Sequence, residues 1–182
     1  MRWWPRAGAW ALVALLFSSA FTIFNLLLAA LMPLSDFGLF SYGQSLVLLV
    51  GVLIATLVLE PTMTVGTRYH DDEQLRYLSF TLVASLAVGL VAALPLAAAF
   101  WAVQRDNSFH LLAAAVIVSP VVQSFHVGRR YLYMRERFGF LIALGVVHAA
   151  LLLAVLLLLW LTGTVSPANA LAATGIAGAV PT

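Results

Sequence analysis

The 182-residue sequence contains no cysteine. That excludes a disulfide framework and any cysteine-based metal or redox site. It also contains no lysine, so all nine non-histidine basic residues are arginine. Guanidinium groups suit bidentate phosphate recognition, although an all-arginine set is also what a coding bias would leave. Charge is scarce, with Asp, Glu, Lys and Arg together making up 9% of the chain against 63% hydrophobic residues. A soluble domain carries roughly a quarter charged residues. So few charges cannot cover a water-facing surface, and lipid must be the solvent for most of the exterior.

Catalytic motifs are missing too. There is no Walker A loop, no HExxH and no GxSxG. Asp71, Asp72 and Glu73 are three adjacent acids in a short polar turn, a pattern that usually faces water. Nothing points to an enzyme, a cofactor, a metal or a nucleic-acid partner.

What the sequence has is long apolar runs. A helix rises 1.5 Å per residue, so about 20 apolar residues cross a hydrocarbon core of about 30 Å. Five stretches qualify, at about 7–31, 40–67, 77–103, 110–133 and 138–161, and a sixth at 168–182 is short and rich in Ala and Gly. The first follows Met1-Arg2-Trp3-Trp4-Pro5-Arg6 in the manner of a secretion signal, but it exceeds the 7 to 15 residues of a signal core and reads as a membrane helix. The expected fold is an all-α polytopic bundle in one transmembrane domain, with five full spans and a partial sixth. Ser35 or Asp36 is the expected N-cap of the second helix.

The connections are brief and lopsided in charge. One side collects Arg2, Arg6, Arg68, Arg76, Arg129, Arg130, Arg135 and Arg137, and the other only Arg105. Positive residues accumulate on the cytoplasmic side. The N-terminus and the 68–76 and 129–137 turns are therefore cytoplasmic.

Chemistry in such a chain falls to polar residues at membrane depth, which usually face a bundle interior or water. Helical spacing groups them. Ser18, Thr22 and Asn25 share a face of the first helix. Thr56, Glu60, Thr64 and Arg68 are each four apart on the second, where Gln44 sits nearer the outer end. Ser119, Gln123, His126 and Arg130 form a stripe on the fourth. Glu60 precedes Pro61, whose missing N–H frees the carbonyl of Leu57. Two readings of Glu60 stand. It is a cation or proton site, or an anchor for an interior arginine; or it lies near the cytoplasmic interface and is hydrated. The Ser119 stripe is either a cavity wall or contact between helices. His148, alone on the fifth helix, reads as an interhelical hydrogen-bond donor. The four arginines of 129–137 read first as a topology signal, with Arg129 and Arg130 also placed to receive an anionic head group.

The segment 25–69 contains Pro33-Leu34-Ser35-Asp36-Phe37-Gly38-Leu39-Phe40-Ser41-Tyr42, then Leu59-Glu60-Pro61, then Gly66-Thr67-Arg68-Tyr69. It resembles the N-terminal part of bacterial polysaccharide flippases of the multidrug/oligosaccharidyl-lipid/polysaccharide exporter superfamily. The arginine-rich turn after the fourth helix is similar as well. The resemblance implies a carrier in the bacterial plasma membrane that moves an undecaprenyl-pyrophosphate-linked sugar between leaflets. Such carriers have two six-helix halves and work by alternating access. This chain matches one half with its sixth helix cut short, so a second half or another copy is an expected partner. On that reading Asn25, Gln44, Glu60, Gln123 and His126 line a groove, and Arg68 and Arg130 meet the pyrophosphate. The alternatives are a multidrug cation exporter of the same superfamily, coupled through Glu60, and a non-transporting membrane assembly subunit.

Overall fold

The computed structural model describes residues 4–66, 71–103, 109–135 and 137–179. Among them there are six helices and no strand. Five helices are long and apolar enough to cross a membrane. Large apolar side chains such as Leu34, Val91 and Phe109 stand exposed along the bundle. That outer surface suits lipid, where backbone groups must be satisfied within each helix.

Helix α1 spans Trp4–Leu31. It stops because Pro33 takes φ −55° and ψ 148°, outside the helical basin. The next helix starts at once, at Leu34, rather than near residue 40. Pro33 occupies the cap position with no side-chain cap bond, so neither Ser35 nor Asp36 is the N-cap. Both lie inside the first turn, where the Asp36 carboxylate favours the positive end of the helix dipole. Polar residues and a glycine in a first turn do not prevent winding, so an apolar scan starts this helix too late.

Helix α2 has three consecutive parts: α-helical Leu34–Ile54, a π-helical turn Ala55–Leu59 and α-helical Glu60–Gly66. The Glu60 N–H donates to the carbonyl of Ala55, five residues back. The wider turn is the structural answer to Pro61, whose ring would collide with the carbonyl four residues before it.

Helices α3 (Asp71–Val103) and α4 (Phe109–Met134) run through Pro95 and Pro120. Helix α5 spans Phe138–Leu161. It closes with Gly163 at φ +66°. The Gly163 N–H donates to the Trp160 carbonyl and the Thr164 N–H to the Leu159 carbonyl, a paired terminus that needs the left-handed residue between them. Helix α6 (Pro167–Ala179) starts with proline in its first position, and Ser166 Oγ accepts from the Asn169 N–H. Its 13 residues extend about 20 Å, short of a full crossing.

Helix α4 is central and packs on α2, α3, α5 and α6, while α1 lies mainly on α5. Helices α1 and α2 diverge below their shared turn and hardly touch. The buried side chains form two apolar clusters. The larger includes Phe24, Leu28, Phe40, Leu46 and Val50. The smaller, nearer the arginine-rich end, comprises Val13, Phe17, Phe125, Leu141 and Leu144.

Candidate functional site

The divergence of α1 from α2 leaves a cavity of about 400 Å³ within the bundle. Helix α1 contributes Ala14, Phe17, Ser18 and Phe21. Helix α2 contributes Gln44, Val47 and Leu48, and α6 closes one side with Leu171 and Thr174. From α4 come Val122, Phe125, His126, Arg129 and Tyr133, and from α5 His148 and Leu152. The cavity therefore reaches from the middle of the bundle, at Phe21 and Gln44, to its arginine-rich end, at Arg129 and Tyr133.

An aromatic cluster forms its inner wall. Phe125 and His148 stack with ring centroids 5.0 Å apart and planes within 9°. Phe17 leans on both, 5.6 Å from Phe125 and 5.7 Å from His148. The Arg129 guanidinium sits 4.8 Å over the Phe17 ring. His148 Nδ1–H donates to the Ala177 carbonyl at 3.0 Å. That carbonyl is in the last turn of α6, where intrahelical partners run out. His148 is thus the interhelical donor expected of it, and it also lines the cavity.

The polar lining is rich in donors. Gln44 Nε2 and Arg129 Nε are buried and have no hydrogen-bond partner. No Asp or Glu lines the cavity among the described residues. Unpartnered buried donors call for a ligand or water oxygen. An acceptor-rich anion fits this lining better than a cation.

Of the residues expected from sequence, the structure brings together Gln44 and His126. Ser18, on the first-helix stripe, joins them, but its hydroxyl already donates to the Ala14 carbonyl at 2.8 Å. Asn25 is not in the lining. Its Nδ2 donates to the Phe21 carbonyl at 3.0 Å, and its Oδ1 is buried without a partner. Thr22 is exposed and bonds back to Ser18.

The Ser119 stripe divides. The Ser119 hydroxyl donates to the Ala115 carbonyl within its own helix. Gln123 packs against α2, so close that a Cβ on Gly51 would lie 2.6 Å from its Nε2. Gln123 is therefore contact between helices, and His126 is cavity wall. Glu60 is exposed on the outside of α2 between the equally exposed Thr56 and Thr64, away from the cavity. Arg130 is exposed, and its neighbour Arg129 points inward instead. Arg68 lies outside the described residues, as do residues 104–108.

Sequence spacing missed Phe17, Tyr133 and Thr174. The set Val122, His126, Arg129 and Tyr133 follows steps of four, three and four, a helical face as regular as the one that ends at Arg130.

A second void of about 490 Å³ lies between α3 and α4, on the outer surface of the bundle. Its walls include Leu94, Ala97, Trp101, Leu112, Ala113 and Val116, with no charged side chain among them. Among the described residues no group of three His, Asp or Glu side chains is placed to hold a metal ion.

Comparison with protein-family models, with curated proteins and with solved structures returned no match.

Proposed function

We propose that this chain forms part of a membrane carrier for an amphiphilic anion, and specifically a lipid-linked pyrophosphate oligosaccharide of bacterial polysaccharide synthesis. One observation carries the reading. Arg129 and Gln44 present unpartnered buried donors to a cavity inside a membrane bundle, and among the described residues no carboxylate lines it to balance them. Phosphate and sugar oxygens are the acceptors such donors need, and charge-assisted bonds to guanidinium are the strong ones. The apolar remainder of the wall and the cleft between α1 and α2 suit a lipid tail that stays in the bilayer while its head group is inside.

The same lining argues against a cation exporter. The Arg129 charge repels a cation, and Glu60, the acid that would couple such an exporter, faces outward. The resemblance of the segment 25–69 to polysaccharide flippases supplies the lipid-linked sugar as the particular anion.

The test is a leaflet-accessibility assay on membranes from cells with and without the protein. A lipid-linked pyrophosphate sugar placed in the cytoplasmic leaflet is expected to reach the outer leaflet faster when the protein is present. Equal rates in the two membranes, or protein-dependent movement of an organic cation alone, would reject the reading.

A further inference from the structure

The cation in the cavity rests on an aromatic ring rather than on a carboxylate. The Arg129 guanidinium carbon is 4.8 Å from the Phe17 ring centroid, while its Nε has no hydrogen-bond partner. A π face attracts a cation but offers no lone pair to its N–H groups. Phosphate oxygens offer both charge and lone pairs, in a geometry that guanidinium matches with two parallel bonds. An anion in the cavity therefore competes with a weak holder for a strong donor.

Phe17 also has a second set of neighbours. Its ring touches Phe125 and His148, and His148 is bonded to α6 through Ala177. Phe17 thus joins α1 to α4 directly and to α6 through His148. Elsewhere α1 lies chiefly along α5.

We propose that Phe17 is a holding site for Arg129, and that an anionic head group draws the guanidinium off the ring and so loosens α1 from α4. This rests on reading the cavity as an anion site. Phe17 acts through Arg129 and is a positioning residue. Occupancy of the cavity is thereby coupled to the position of α1, one of the two helices that flank its opening.

The experiment uses the full chain in lipid nanodiscs, with farnesyl pyrophosphate as the probe and farnesol as its uncharged control. The wild type is expected to bind the pyrophosphate and not the alcohol. Arg129→Gln should bind at least about tenfold more weakly. Phe17→Leu frees the guanidinium and should bind about 5- to 30-fold more tightly, whereas Phe17→Trp, a better π holder, should bind more weakly. A second measurement does not depend on changing Phe17. The sequence has no native cysteine, so spin labels at Leu15→Cys on α1 and Arg130→Cys on α4 are unambiguous, and they should move apart when the pyrophosphate is added. If Arg129→Gln loses binding while the Phe17 variants bind like wild type and the labels stay put, the holding site is refuted and the anion reading stands. If Arg129→Gln binds as wild type does, the anion reading falls and takes this inference with it.

Discussion

The two voids share one helix and differ in everything else. The inner half of α4 faces the cavity with His126, Arg129 and Tyr133, while its outer half faces the lipid-side groove with Leu112, Ala113 and Val116. The groove, at about 490 Å³, is the larger of the two, against about 400 Å³. Size therefore says little about function. A groove open to the bilayer is filled by acyl chains at small cost, because they match its apolar walls. The cavity has buried donors that acyl chains cannot satisfy, and each such group left unmade costs about 1–3 kcal/mol. That deficit, rather than the space, singles it out as the candidate site.

The sharpest way to break this comparison is to remove the charge. Arg129→Gln should weaken binding of a pyrophosphate amphiphile roughly ten- to hundredfold, while Arg130→Gln, one residue along and exposed, should stay near wild type. Equal losses in the two variants, measured side by side in nanodiscs, would show that the arginines act as a surface patch. A bulk test comes next. Val122→Trp fills the cavity and should slow lipid-linked sugar transport about tenfold, an effect worth roughly 1.4 kcal/mol. Ala113→Trp fills the groove and should leave the rate within about twofold. Smaller still is the wall itself. His148→Phe keeps the stack on Phe125 but deletes the bond to the Ala177 carbonyl, and should lower stability by about 1 kcal/mol in detergent unfolding. Smallest is a control outside both voids, the hydroxyl contact of Thr62 with Thr81 at 3.3 Å. Thr62→Val should cost about 0.6 kcal/mol with transport unchanged, and a transport defect there would mean that the cavity is not the only sensitive region.

Much of the bundle was legible in the sequence because hydrophobic length and proline act locally. The five spans, the break at Pro33 and the disturbance at Pro61 are properties of single segments. The site was legible only in part. His126 is followed three residues later by Arg129 and four later by Arg130, and an ideal helix puts both near the same face. Which one turns inward is decided by how α4 packs on its neighbouring helices, and no single-helix pattern contains that information. Gln123 was misplaced for a related reason, since the space it occupies is created by the missing side chain of Gly51 on α2. Glu60 drew notice as a charge in an apolar run, yet charge alone does not say whether a residue faces the bundle or its surroundings.

The π-helical turn at Ala55–Leu59 has a consequence for the phase of α2. Buried positions along the helix run through Phe40, Gly43, Val47, Val50 and Ile54, then Val58 and Leu59, and reach Thr62. Ordinary winding from Ile54 would instead carry that face to Pro61. The turn thus works as a one-residue slip in the screw. Winding it as ordinary α-helix at unchanged length would rotate the last two turns by about 100° while leaving Gln44 and the cavity wall untouched. The hydroxyl seam against Thr81 would be exchanged for a proline ring. The two ends of α2 are in this sense separately geared, one to the cavity and the other to α3.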